Sequence, residues 1–209
     1  MQLFENIRFV DIIEVLGTFA FAISGIRLAS AKKFDWFGAF VVGFVTAIGG
    51  GTVRDLFLDV TPFWMQNSLY LWCTLGALIF VMVFHKYLVH LNNTFFAFDS
   101  IGLGLFVVVG VEKTLSLGFE PWVAIIMGAI TGSVGGVLRD VFINEIPLIF
   151  RKDIYALACV VGGMVFTTLY ALNVNLFINE VLTASIVILI RFLAVKYHWH
   201  LPILKGENS

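Results

Sequence analysis

The chain has 209 residues, of which 60% are hydrophobic and 13% charged, with a formal net charge of −1 and a mean hydropathy of +0.97. A water-soluble domain carries about 25% charged residues, so this composition excludes a soluble globular protein. The near-neutral balance, with no basic tract or tail, excludes nucleic acid as a partner.

The long apolar runs predict an all-α polytopic membrane protein, a single transmembrane domain over 1–209. Seven spans of roughly 20 residues fit, near 11–29, 36–58, 68–89, 97–114, 121–143, 153–172 and 178–197. The N-terminus opens with Glu5, Arg8 and Asp11, which is no cationic leader, so the first apolar run reads as a retained span. The connections are short, and the tail from His198 to Ser209 is polar. Arg27, Lys32, Lys33, Lys86, Arg151, Lys152, Lys196 and Lys205 collect on one side of this arrangement, against Arg8 and Lys113 on the other, with Arg54 joining them if it reaches an interface. Positive charge marks the cytoplasmic side. The N-terminus is therefore expected outside a cell (inner) membrane and the C-terminus in the cytoplasm.

The second span carries Gly43-Phe-Val-Thr-Ala-Ile-Gly-Gly-Gly-Thr-Val-Arg-Asp-Leu-Phe57, with Pro62 beyond it. The fifth carries Gly128-Ala-Ile-Thr-Gly-Ser-Val-Gly-Gly-Val-Leu-Arg-Asp-Val-Phe142, with Pro147 beyond it. The offset of 85 between these stretches holds without a gap. It pairs Gly17 with Gly102, Phe21 with Phe106, Gly25 with Gly110, Phe34 with Phe119, Thr46 with Thr131, and Tyr70 with Tyr155. Each unit holds three spans, and an odd number inverts the second unit. The chain thus reads as two inverted three-helix repeats, about 11–89 and 97–172, plus an extra helix at about 178–197.

Arg54-Asp55 and Arg139-Asp140 are costly in an apolar span, which makes them site candidates. The small residues at 43, 47 and 50, and at 128, 132 and 135, share a helix face with the arginines, a pattern that close helix packing alone explains. In that reading the arginines snorkel from a helix end. The consecutive glycines Gly49-Gly50-Gly51 and Gly135-Gly136 favour a break instead, because each costs roughly 1 kcal/mol in a helix interior. Thr52 with Asp55 resembles a cap on a restarted half-helix, Asp140 would sit in the matching first turn, and Pro62 and Pro147 would stop the short halves. Broken helices at corresponding positions of inverted repeats point to a translocation pathway.

The other ionisable groups carry less weight. Asp11, Glu14 and Asp99 read as helix-end groups, Glu112 with Lys113 as an interface pair, and Arg191 as a snorkelling cation. Cys73 and Cys159 read as buried thiols, the histidines His85, His90, His198 and His200 lie near interfaces, and the five tryptophans mostly flank spans. No catalytic constellation, metal-ligand pattern or phosphate loop appears, so neither an enzyme nor a cofactor is expected.

The doubled Gly-Gly-x-x-Arg-Asp within two three-helix repeats and a seventh helix resembles the trimeric intracellular cation (TRIC) channel family, in its prokaryotic branch, over nearly the whole chain. The resemblance implies a homotrimer with a pore in each subunit, lined by the second and fifth helices with the first and fourth. It implies conduction of monovalent cations, potassium before sodium, through a membrane-lipid-embedded protein. Carried onto this chain, the pore-lining or gating residues are Gly49, Gly50, Gly51, Arg54, Asp55, Gly135, Gly136, Arg139 and Asp140. The lysine-rich tail and Lys-Glu-Val motif of the animal members are missing. The same prokaryotic domain is also described as a glycine transporter. By electrostatics alone an arginine on the path suits a carboxylate as well as it suits a gate, so a carrier of glycine or another small amino acid stands beside the channel. A purely structural scaffold is a third reading.

Overall fold

The structure is a computed structural model that describes residues 8–90, 94–152 and 154–201. Glu5 and Lys205 lie outside the described residues, as do the side chains of His85, Lys86 and His90. The elements are α1 (Phe9–Ala31), α2 (Trp36–Phe57), α3 (Phe63–Gln66), α4 (Leu69–His90), α5 (Thr94–Ser116), α6 (Pro121–Phe142), a 3-10 turn (Leu148–Phe150), α7 (Ala156–Ala171) and α8 (Leu176–Lys196). Helices α1, α2, α5, α6 and α8 are long and apolar enough to cross a membrane, whereas Leu69–Phe84 of α4 and all of α7 are shorter apolar stretches. This is an all-helical membrane protein.

Local chemistry accounts for the helix ends. Asp35 caps α2 by accepting from the Gly38 N–H at 2.7 Å, and Asn175 caps α8 by accepting from Ile178. Proline opens α6, where its missing N–H costs nothing. Just past the helix C-termini stand left-handed residues: Lys33 after α1 and Gly118 after α5, Asp59 after α2 and Asn144 after α6. Each of these pairs is also separated by the offset of 85.

The sequence-derived break is overturned. Helix α2 runs unbroken through Gly49–Gly51, and α6 runs unbroken through Gly135–Gly136. Thr52 caps nothing: its hydroxyl donates back to the Ile48 carbonyl at 2.8 Å and accepts from the Trp64 indole at 3.0 Å. Asp55 and Asp140 sit in the last turns of their helices, not the first, and the helices end five residues before Pro62 and Pro147, which open α3 and the 3-10 turn.

The glycines serve a close crossing. A methyl at Gly50 would collide with the Thr131 carbonyl of α6, and one at Gly135 would collide with the Thr46 carbonyl of α2. The two contacts are the same contact with the helices exchanged. The α1–α2 and α5–α6 pairs repeat the theme: Gly25 meets Gly43 and Thr46, while Gly110 meets Gly128 and Thr131. Backbone-to-backbone approach on small residues is how helices associate in lipid, where no hydrophobic force drives them together. Helices α1, α2, α5 and α6 form the centre; α4 packs on α1 and α2, and α7 and α8 pack on α5. Phe21 of α1 stacks on Phe106 of α5, centroids 5.3 Å apart, another pair related by the offset.

The loops after α1 and α6 meet on one side, where the Lys32 ammonium donates to Glu145 at 2.5 Å and Arg151 adds a 3.3 Å contact. The main chain of Leu201 donates to the Lys152 carbonyl on the same side. The hydrogen bond from Lys32 and its charge hold the exposed Glu145 carboxyl below its usual range. That contribution is present at neutral pH and lost as pH falls through the depressed value. Lys32→Gln should therefore lower stability slightly near neutrality and leave it unchanged below the depressed value, flattening the acid limb of a stability-versus-pH curve measured by thermal melting in detergent.

Crossing geometry also predicts a contrast among glycines. Gly50→Ala and Gly135→Ala should each destabilise the fold by about 1–3 kcal/mol, the usual range for overpacking. Gly76→Ala should instead stabilise by up to about 1 kcal/mol, since nothing beyond its own stretch of α4 lies within 4 Å of the added methyl and alanine is the better helix former. Thermal melts of the three purified variants check this.

Candidate functional site

Both arginines are fully buried, so neither snorkels. A guanidinium does not lose its proton in a protein, so a buried one needs acceptors and countercharge. The Arg54 Nε donates to its neighbour Asp55 at 2.8 Å, and the Arg139 Nε donates to Asp140 at 2.9 Å. The second oxygen of each carboxylate accepts a main-chain N–H beyond the helix end: Phe63 to Asp55 at 2.9 Å and Leu148 to Asp140 at 3.0 Å. These partners too are 85 positions apart. A stacked aromatic completes each site, Phe63 at 5.8 Å from Arg54 and Phe95 at 5.4 Å from Arg139.

The sequence reading missed two members. Glu14 of α1 faces Arg54, with Oε1 at 3.9 Å from Nη2, and accepts from the Tyr70 hydroxyl at 2.6 Å. Asp99 of α5 pairs directly with Arg139, and the Tyr155 hydroxyl reaches it at 3.5 Å. Glu14 and Asp99 are therefore not helix-end groups; they are the carboxyl arm of the repeated site. The offset of 85 already related them, but one is a glutamate and the other an aspartate, so matching by residue identity passes over the pair.

The two clusters differ in what surrounds them. In the first, the Lys113 ammonium from the last turn of α5 reaches Asp55 at 2.8 Å. Lys113 thus pairs with Asp55 and not with Glu112, which instead has Arg8 at 3.9 Å and contacts Glu180 of α8. Position 28, equivalent to 113, is a leucine, so the second cluster has no such lysine. Ser24 takes a bond from Arg139 at 2.8 Å instead. A cleft of about 240 Å³, lined in part by Arg8, Asp11, Glu14, Glu112, Lys113 and Ser116, opens beside the first cluster. The second is closed: Asp99, Arg139 and Tyr155 have at most 1% exposure.

Of the expected site residues, the structure brings Arg54 with Asp55 and Arg139 with Asp140 into the clusters. Gly50 and Gly135 lie at the crossing, Gly49 against Leu138 and Gly51 against Phe63, and Gly136 under the Tyr155 hydroxyl. Arg191 does not snorkel either; it is buried at 1% exposure. Cys159 is buried and Cys73 half-buried, and both are free. Trp36, Trp72, Trp122 and Trp199 are exposed as a belt requires, while Trp64 turns inward to Thr52. Among the described residues no group of His, Cys, Asp or Glu could hold a metal ion.

A family model described as Glycine transporter matches residues 11–86 and matches again over residues 96–171. The chain belongs to this family. The two matches are themselves offset by 85, as the clusters are. The chain is 39% identical over 193 residues to the UPF0126 inner membrane protein YadS of Escherichia coli K12, covering 91% of this chain and 93% of that one. A solved structure concerned with conductance through TRIC cation channels superposes with a TM-score of 0.86 at 34% identity, covering 97% of this chain and 100% of that one. The TRIC trimeric intracellular cation channel orthologue from Rhodobacter sphaeroides superposes equally, TM-score 0.86 at 33% identity, over 90% and 98% of the two chains. Family and structures agree with the prokaryotic TRIC branch that the doubled motif resembles.

The unequal burial of the clusters predicts unequal cost. Asp99→Asn leaves Arg139 with one charged partner fewer in a sealed site and should cost about 3–5 kcal/mol. Glu14→Gln, beside the cleft and 3.9 Å from its arginine, should cost about 1 kcal/mol, nearer an exposed pair. Melting of purified Asp99→Asn and Glu14→Gln, with assembly followed by size-exclusion chromatography, measures the difference.

Proposed function

We propose that the protein is a potassium-preferring channel for monovalent cations, working as a homotrimer in the inner membrane with a pathway through each subunit. The observation that carries this reading is the doubled polar cluster at the centre of an otherwise apolar bundle, one copy beside an acid-lined cleft. In this reading seven spans form two inverted three-helix repeats and an extra helix, with the N-terminus outside. The pathway runs between α1, α2, α5 and α6. Cations collect at Asp11, Glu14 and Glu112 and pass Arg54 and Asp55, then Arg139 and Asp140. Gly49, Gly50, Gly51, Gly135 and Gly136 shape the path by setting how closely α2 and α6 approach; no helix break is involved.

Electrostatics gives the lysine a role. An ammonium is a monovalent cation, and Lys113 occupies the position against Asp55 that a permeating ion would need. Neither Nη of Arg54 has a hydrogen-bond partner among the described residues, although both are buried. Buried donors are satisfied by protein or water, so in this reading the path beside Arg54 is hydrated. The likeness to solved TRIC cation channels, at 34% and 33% identity and near-complete coverage, supports the same reading.

The test is purified protein in liposomes under a potassium gradient without organic substrate. Passive flux favouring potassium over chloride is expected, with unitary current steps in planar bilayers. Arg54→Ala and Arg139→Ala should change that flux by about tenfold, the effect of roughly 1.4 kcal/mol. Electrical silence together with gradient-driven glycine uptake would replace the channel with a carrier.

A further inference from the structure

We propose that Arg191, on the extra helix α8, is a positioning residue that holds the second cluster closed. The inference rests on the conduction reading for its consequence, but its support is geometric. Each cluster holds two carboxylates, Glu14 with Asp55 and Asp99 with Asp140, and one arginine from its own repeat. Each therefore needs one further positive charge from elsewhere to be neutral. The first takes Lys113, within contact of Asp55. The second has no lysine, and the cation set against its tyrosine from outside the cluster is Arg191.

Arg191 is built in firmly. Its Nη1 donates to the Ile154 carbonyl at 2.7 Å, and its guanidinium lies 4.9 Å from the Tyr155 ring and 5.0 Å from the Phe96 ring. The Tyr155 hydroxyl in turn faces Asp99, the partner of Arg139. The chain Arg191–Tyr155–Asp99–Arg139 thus links α8, α7, α5 and α6. In the first half the ring of Tyr70 is held by Phe63 at 4.5 Å, with no cation from α8 among the described residues. The position equivalent to Phe63 is Leu148, which leaves the second tyrosine without that aromatic wall. Arg191 lies against that tyrosine ring, and packs on Phe96 as well. The second cluster is closed but not saturated: Asp99 Oδ2 and Arg139 Nη2 are buried without hydrogen-bond partners among the described residues. Removing the Arg191 charge would leave a net negative cluster with acceptor capacity for a cation.

The contrast with Lys113 sets the asymmetry. Lys113 is partly exposed, on a flexible stem beside the cleft, and can yield its place to an ion. Arg191 is planar, stacked and at 1% exposure, and cannot swing away without leaving both rings. One end of the path is therefore loosely blocked and the other clamped.

Purified parent, Arg191→Met, Arg191→Lys, Tyr155→Phe and the Arg191→Met/Tyr155→Phe double variant decide it, all with Cys73→Ser, in liposomes under a potassium gradient. Arg191→Met should raise flux by about fivefold or more, the low end of ordinary coupling between sites. Arg191→Lys should fall between it and the parent, and Tyr155→Phe should raise flux in the same direction. The double variant should match Arg191→Met, since both changes release one clamp. A second readout needs no transport. Cys159 is buried one turn from Tyr155, and it should react faster with a small water-soluble thiol reagent in Arg191→Met than in the parent. Assembled variants with parental flux and parental Cys159 reactivity overturn the clamp, as does a double variant whose effects simply add. If Arg191→Met does not assemble, Tyr155→Phe decides alone by the same two measurements. A parent that passes no cations, with Cys159 still exposed by Arg191→Met, strikes the conduction reading and leaves the clamp standing.

Discussion

A guanidinium that cannot give up its proton, placed inside an apolar bundle, constrains everything around it. Arg54 and Arg139 have no exposed surface, and burial of an unpaired charge costs several kcal/mol. Each arginine therefore draws a carboxylate from the next residue of its own helix and a second from a neighbouring helix, with an aromatic ring laid against it. Satisfying both arginines fixes the relative positions of α1, α2, α5 and α6. The carboxylates at the helix ends then hold the following backbone through Phe63 and Leu148, so the loops are tied to the same centre.

Such positions are reachable only because the helices meet at main-chain distance. The choice between a broken and a continuous helix turns on magnitudes. A run of glycines costs roughly 1 kcal/mol per residue in helix propensity. A break inside a bundle surrounded by lipid frees backbone groups that cost several kcal/mol each if nothing receives them. The helix stays continuous, and the glycines are occupied by the crossing of Gly50 under Thr131 and Gly135 under Thr46. Neighbouring glycines have neighbouring uses: Gly49 and Gly51 accommodate Leu138 and Phe63 on different faces of one helix. Packing on several faces at once explains consecutive glycines without any break.

What the sequence made legible follows from this. Apolar run length located the helices, and the residue identities that recur every 85 positions located the arginine pairs, because both signals are local or periodic. The short helix α3 was invisible, being four residues after a proline with no period to read. Glu14 and Asp99 were related by the offset, yet their position near helix starts suggested solvation, and only the fold shows α1 and α5 turning them inward. Lys113 and Arg191 could not be found that way at all. Lys113 has a leucine at the equivalent position and Arg191 lies beyond both repeated stretches, and their partners are 58 and 36 positions away in sequence at Asp55 and Tyr155.

Duplication copied the arginine, its carboxylates and its tyrosine, but not the cations that balance them. Two identical clusters would be equally open or equally shut. Residues outside the repeated set remove that equivalence. A lysine at the close of α5 serves one cluster from beside an open cleft, and an arginine from the unrepeated helix serves the other from within packed aromatic rings. The same formal charge is supplied by a compact ammonium on a four-carbon stem in one place and by a rigid, stacked fork in the other. Those two groups differ in how easily they are displaced. What distinguishes the two clusters is therefore supplied by residues without a charged counterpart across the offset of 85, one of them on α8, whose Arg191 packs against the tyrosine of the second cluster.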